Sequence, residues 1–275
     1  MKALKLSVLS LFVIAAMANT KLPAVEENEP VQKCGTTNTA FKAGEKVGFI
    51  VNYTAGKLIN MSAGAGSFTT TLEKLNGKNV YHVVGEGHTL PGYEWAYKAK
   101  DIYETFMDAE TLLPLKFVRD VNEGGYKKYQ NVNFVRSANT ALTKEGTFKV
   151  PACVHDVVSA VFYARNIDFS NLTPKVHRIP FSVFLDNEVH SMHIRYMGKE
   201  VISTKYGKFK TIVIKPLTIK GTIFEGGEQM TVWVTDDANQ VPVRIESPII
   251  VGKVRIDMTS FENLRNPMTA LIKKN

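Results

Sequence analysis

Short apolar and β-branched runs recur along this chain, each closed by a turn signal, and that rhythm predicts strands. The runs at residues 47–54, 66–75, 79–85, 126–135, 189–196, 209–214, 230–235, 241–246 and 254–261 carry it most clearly. Between them stand Asn76-Gly77, Asn122-Glu123-Gly124-Gly125, Tyr206-Gly207 and Glu225-Gly226-Gly227, where glycine supplies the positive φ of a tight hairpin. Intervals this short leave no room for crossover helices, so the strands are expected to pair mostly antiparallel. The expectation is an all-β fold built on one large curved antiparallel sheet, a barrel or half-barrel. Trp233, in the middle of its run, is expected to be buried.

A single segment departs from a period of two. In residues 154–166, Val154, Val157, Val158, Val161 and Phe162 recur at the three-and-four spacing that lines one face of a short amphipathic helix. Pro151 fixes its approach, Cys153 stands at its start, and Asp156 sits in its first turn, where negative charge suits the helix dipole. The helix is expected to lie against the sheet.

The beginning of the chain follows a different rule. Lys2 and Lys5 precede an apolar run at 6–15, and Ala16-Met17-Ala18 gives the small-x-small pattern of a signal-peptidase site. Residues 1–18 therefore read as a cleaved signal peptide. The run is little more than half of the roughly 20 apolar residues that a membrane span needs. A lipoprotein signal would place a cysteine directly after it, whereas the first cysteine is Cys34. Residues 19–33, with Pro23, Pro30 and three glutamates, read as a disordered leader. Residues 34–265 read as a single β domain, or two β subdomains sharing a sheet, and 266–275 as a C-terminal tail.

Charge narrows the classes of partner. The 34 lysines and arginines fall to 32 once Lys2 and Lys5 are removed, against 26 acidic residues, a net charge of +6 with histidine neutral. That mild excess, without a nucleic-acid-binding module, argues against nucleic acid. Its sign permits contact with anionic lipid or glycan surfaces. The two cysteines, Cys34 and Cys153, belong to a chain that matures where thiols oxidise, which favours a disulfide; two buried thiols are the alternative. Such a bridge closes a loop of over a hundred residues, for which chain entropy predicts about 4–5 kcal/mol as a ceiling. Nothing in the chain calls for a cofactor.

The candidate constellations are weak. His82, Glu86 and His88 share a strand face, but at about 3.3 Å per residue the two histidines stand roughly 20 Å apart, too far for one metal ion. His190 and His193 point to opposite faces of a strand. His155, Asp156 and Ser159 resemble a triad, yet Asp156 points about 100° away from its neighbour on a helix, so they are expected on the helix's solvent face. There is no Gly-x-Ser-x-Gly elbow. Asp236-Asp237 reads as a turn between core strands, with calcium or glycan contact as the alternative. Tyr93, Trp95 and Tyr97 alternate through residues 92–99, which puts three rings on one strand face, either as a ligand platform or as core filling. Lys199, Lys205, Lys208 and Lys210 gather around the Gly207 hairpin as a candidate anionic contact or a solvated hairpin end.

Several of these pieces occur in a familiar order. Gly44-Glu45-Lys46, Asp101-Ile102-Tyr103 with Asp108 and Leu113-Pro114, and Asp156-Val157-Val158-Ser159 leading to Tyr163 and Arg165 come first. Gly198-Lys199-Glu200, Gly207-Lys208-Phe209, and Trp233-Val234-Thr235-Asp236-Asp237 with Pro242 and Gly252 follow. Over most of residues 41–261 the chain resembles an exported bacterial group, domain-of-unknown-function family 3108. The resemblance implies a periplasmic protein of Gram-negative type whose curved sheet is similar to the half-barrels of lipoprotein-handling and capsule-associated proteins. It brings no catalytic residue. The expected function is a non-catalytic periplasmic module that receives an apolar or glycan-bearing envelope molecule. The alternatives are a structural or partner-binding envelope protein, using a sheet edge or the basic hairpin, and a hydrolase of envelope glycans or esters.

Overall fold

The computed structural model describes residues 34–56, 59–95, 97–218, 226–249 and 251–275. The expected signal peptide and leader, 1–18 and 19–33, lie outside the described residues. From β1 (Lys46–Ala55) the chain meanders through β2 (Ile59–Leu75), β3 (Lys78–Thr89), β4 (Ala99–Asp108), β5 (Pro114–Glu123) and β6 (Tyr126–Val135) to β7 (Thr140–Thr143) and β8 (Gly146–Lys149). After β9 (Val154–His155) and a helix, α1 (Val157–Ala164), a second meander begins. It runs through β10 (Arg178–Leu185), β11 (Glu188–Ser203), β12 (Gly207–Pro216), β13 (Thr231–Thr235) and β14 (Pro242–Pro248) to β15 (Lys253–Glu262) and β16 (Leu271–Lys274).

β1 joins the two meanders by pairing with both β2 and β15. The result is one open sheet of sixteen strands among the described residues, ordered β8 to β1 and then β15 back to β9. Every pairing is antiparallel except the short one between β9 and β10. The nine sequence runs fall on strands, with Met230 and Val241 standing one residue before β13 and β14, and Asn76-Gly77 turns β2 into β3 with both residues at positive φ, 50° and 83°. Gly207 is different: it lies within β12 without positive φ, and a Cβ there would meet the Lys273 carbonyl at 2.4 Å. It is there to let β16 approach. Residues 266–275 thus contribute a strand paired with β12, where a tail was expected.

The connectivity forces the sheet to curl. β8 and β9 lie at opposite ends of the strand order, yet only residues 150–153 join them, a connection that reaches less than about 20 Å. The two margins therefore face each other across a seam. Phe184 of β10 packs against Phe134 of β6 and Phe148 of β8, at 6.1 and 5.8 Å. Asp186, in the β10–β11 turn, pairs with Arg119 of β5 and Lys128 of β6. Burial acts to raise the Asp186 carboxyl, but those two cations hold it below its ordinary range. Cys34 and Cys153 are bonded, tying the first described residue to the connection between β8 and β9 at the seam.

Alternation decides what faces inward. In β1, Val47, Phe49, Val51 and Tyr53 are buried while the intervening residues are not. The same rule turns Trp233 outward, because Val232 and Val234 face the core; its indole donates to Glu200 on the outer surface. The expected burial of Trp233 is corrected accordingly. The helix is shorter than the predicted 154–166, because Val154 and His155 pair with β10. Asp156 is its extended N-cap: Oδ1 accepts from the Val158 and Ser159 amides at 2.8 and 2.9 Å, and Ser159 Oγ accepts from the Asp156 amide at 2.9 Å. Such a cap stabilises a helix by about 1 kcal/mol.

Candidate functional site: the two sides of the enclosed helix

α1 sits inside the curled sheet, and its two sides meet different surroundings. On one side Val158 and Phe162 are buried against aromatic rings. Phe162 stands edge-on to Phe41 at 4.8 Å and to Phe68 at 5.8 Å, and Phe68 is edge-on to Phe49 at 6.1 Å. The space left there is about 20 Å³.

The other side presents Val157, Ala160, Val161 and Ala164 to the inner surface of β10–β14 and leaves a cavity of about 160 Å³. Its far wall includes Val183, Ile194, Ile214, Val232 and Ile245, β-branched residues at the inward positions of successive strands. Ala160 and Ala164, one helical turn apart, are too short to cross the gap. Arg165 is the charged residue among the described lining, and it is fully engaged. Its Nη1 and Nη2 reach Glu45 Oε1 and Oε2 at 2.5 and 3.1 Å, and Nε donates to the Asn239 carbonyl at 3.0 Å. Thr218 Oγ1 donates to the Gly227 carbonyl at 2.8 Å. What the cavity offers a ligand is hydrocarbon.

The suspected triad is dismantled by its own hydrogen bonds. His155, Asp156 and Ser159 are all buried, not on a solvent face as expected. The expectation failed because the enclosed helix begins after Asp156 and has no solvent face at that end. Asp156 accepts from Thr105 Oγ1 at 2.6 Å besides capping the helix, and Ser159 returns its hydroxyl to the Asp156 carbonyl at 3.2 Å. His155 stacks near Tyr163 at 4.8 Å. Burial, and secondarily the charge of Arg136, lower the His155 imidazole to about 3, so it is neutral.

The aromatic trio does not share a strand. Residues 91–95 form a turn, since Pro91 has no amide to donate and Gly92 sits at φ +95°. The Tyr93 amide bonds the Leu90 carbonyl and the Tyr97 amide the Tyr93 carbonyl, each at 3.1 Å. Trp95 is 86% exposed, whereas the Tyr97 ring lies over Gly124, where a Cβ would come within 2.7 Å of it. The expected three-ring face is thereby corrected.

The lysines divide. Lys199 pairs with Asp236 at 2.8 Å, while Lys205, Lys208 and Lys210 are exposed. β16 adds exposed Lys273 directly opposite Lys208. Asp237 holds the predicted turn by accepting from Thr235 Oγ1 at 2.8 Å and from the Asn239 amide at 3.0 Å, and it receives the Ala270 amide at 3.2 Å. His82 lies between Glu73 and Glu104, at 3.1 and 2.8 Å. His193 reaches Glu228 at 2.6 Å.

One acidic pair went unread in the sequence. Asp101 and Glu123, on neighbouring strands, are both buried. Burial first, and then the adjoining Glu123 carboxyl, raise Asp101 to about 8, so the pair retains a proton at neutral pH. The signal was the polar inward position of Asp101 in β4, visible only once that strand is placed.

A family model described as a protein of unknown function, DUF3108, matches residues 49–259. Among solved structures the chain is similar to a β-barrel-like protein of the domain of unknown function DUF1849 from Brucella abortus. That likeness has 9% identity and a TM-score of 0.52, over 82% of this chain and 100% of the other. Two others are similar more loosely. A lipoprotein candidate from Parabacteroides distasonis has 14% identity and a TM-score of 0.38, over 84% of this chain and 100% of its own. An exported-protein candidate with a YmcC-like fold from Bacteroides fragilis has 13% identity and a TM-score of 0.32, over 83% and 100%. No curated protein matches the chain. At such identities the Brucella likeness shows the fold, a barrel-like sheet, and nothing of activity.

Proposed function

Because the chain belongs to DUF3108, a family described as a protein of unknown function, membership brings no activity, and we propose from the geometry that it is an exported, periplasmic, non-catalytic module holding an apolar envelope molecule between α1 and β10–β14. The observation that carries this reading is the cavity of about 160 Å³ with aliphatic walls. An engineered apolar cavity of about 150 Å³ stays dry and binds benzene. The space therefore suits a ring, or the end of an acyl chain, whose burial contributes about 0.8 kcal/mol per methylene before the costs of association. Export is supported by the charged, apolar and small-x-small succession of residues 1–18 and by a disulfide, which persists in oxidising compartments.

A second reading, contact with an anionic or glycan-bearing partner, is favoured by exposed Lys273 beside Lys208 and by the solvent-facing ring of Trp95. The first reading is tested by native mass spectrometry of protein purified from its own envelope. An added apolar mass is expected on the natural chain and not on Ala160→Phe. Bare protein in both cases would sink the proposal.

A further inference from the structure

Antiparallel pairing sends alternate connections to the same end of the strands. Four connections at one end are consecutive around the sheet: β14–β15, β1–β2, β3–β4 and β5–β6. The register fixes this, pairing Thr54 with Lys253, Ala55 with Ile59, Gly64 with Thr89, and Glu123 with both Ala99 and Tyr126. Each connection carries one exposed large apolar side chain, in order Val251, Ile59, Trp95 and Tyr126. No hairpin turn at the other end carries one among the described residues. The tips are also tied to their neighbours. Tyr53 Oη donates to the Val251 carbonyl at 3.0 Å, the Leu90 amide to the Ala63 carbonyl at 3.0 Å, and the Gly124 amide to the Lys98 carbonyl at 2.9 Å. A partner thus meets a rim that is already ordered.

Lysine accompanies the apolar side chains. Lys98, Lys100 and Lys127 are exposed and stand outside the ion pairs of the described residues, and Lys253 reaches Glu246 only at 3.9 Å. Against them these connections set exposed Glu94 and buried Glu123. A protein-binding surface gathers its apolar groups into a contiguous core depleted of lysine. Here single apolar side chains sit on successive turns with lysines between them. That distribution suits the boundary of a bilayer, where tryptophan and tyrosine put a ring into the apolar layer and a polar atom into the wet one. Lysine extends its stem along the apolar surface and its charge to a lipid phosphate.

We propose that this end of the sheet docks on an anionic bilayer surface, with Val251, Ile59, Trp95 and Tyr126 entering the headgroup boundary and Lys98, Lys100, Lys127 and Lys253 meeting lipid phosphates. This rests on the anionic-partner reading above, placing that contact at Trp95 and not at Lys208, whose turn lies at the other end of the strands. It does not depend on the cavity. Sedimentation of the full protein with vesicles of phosphatidylglycerol and phosphatidylethanolamine tests it, with phosphatidylcholine vesicles as the reference. Binding is expected to be at least about tenfold stronger to the anionic vesicles and to weaken with salt. Tryptophan emission should shift to the blue on binding, and Trp95→Phe should abolish the shift, because Trp233 lies within β13, away from the tips. Lys98→Glu combined with Lys127→Glu should weaken binding at least about tenfold, whereas Lys208→Glu should leave it unchanged; an unaltered melting temperature checks that these exposed substitutions keep the fold. No binding, equal affinity for the two kinds of vesicle, or a blue shift that persists in Trp95→Phe overturns the inference. Binding lost in Lys208→Glu and kept in the Lys98, Lys127 double variant overturns it too, while leaving the anionic-partner reading in place.

Discussion

The two sides of α1 use the same helix and the same curled sheet to opposite ends. Toward β1–β4 the helix presents Val158 and Phe162, and the sheet answers with Phe49 and Phe68 while Phe41 fills the remaining corner, leaving about 20 Å³. Toward β10–β14 it presents Ala160 and Ala164 to valine and isoleucine, leaving about 160 Å³. Both sides are equally apolar, so hydrophobicity does not distinguish them. Side-chain reach does: edge-to-face rings span the gap on one side, and methyl groups cannot on the other. The filled side also carries the anchor, because Arg165 at the end of the helix is clamped to Glu45. The same guanidinium donates to the Asn239 carbonyl between β13 and β14, so both walls hold the end of the helix and the gap opens between them at Ala160.

The comparison can be broken most forcefully at that anchor and its packing. Glu45→Ala leaves Arg165 charged and buried, and is expected to cost about 3–5 kcal/mol. Phe162→Ala should lie in the same range of about 3–5 kcal/mol. Denaturant unfolding measures both, and a loss below about 1 kcal/mol for either, the size of an ordinary surface change, would mean that the packed side does not hold the helix. On the hollow side Ala160→Leu enlarges a side chain by more than would be tolerated in a filled core, where overpacking costs about 1–3 kcal/mol. Here it is expected to be neutral or mildly stabilising, and a cost above about 2 kcal/mol would show that the space is already occupied by protein.

A smaller effect concerns pH. Asp101 is raised from 3.8 to about 8 by burial and by Glu123, so the folded chain keeps a proton that the unfolded chain releases. Stability is then fully present below the unfolded value and declines as pH rises toward the folded one. Thermal melts should show Tm falling between about pH 4 and pH 8, and Asp101→Asn should flatten that slope. An unchanged slope in the variant would assign the titration to another group.

The sheet was largely legible in the sequence, and the reasons are local. Runs such as 126–135 alternate and are bounded on one side by a glycine turn, here Gly124-Gly125, which fixes both strand and hairpin. β4 was harder because Asp101 and Thr105 occupy inward positions, and this interrupts its apolar alternation. β10 contains Pro180, which weakens a strand signal. The aromatic trio misled because its alternation is genuine while Pro91-Gly92, just before it, breaks the strand. Trp233 misled in the opposite way, since the alternation of Val232 and Val234 already turns it outward. The cavity was not legible: periodicity tells which face of an element is inward, but not how far away the opposing element lies. Ala160 and Ala164 were its only trace.

Crystals of the full protein pressurised with xenon test the central claim most directly, because xenon enters dry apolar space without needing a polar partner. The account predicts an ordered xenon atom between Ala160 and Ile214, absent in Ala160→Phe. Crystals that take up xenon elsewhere, or nowhere, while this space holds ordered water or collapsed side chains, would contradict it.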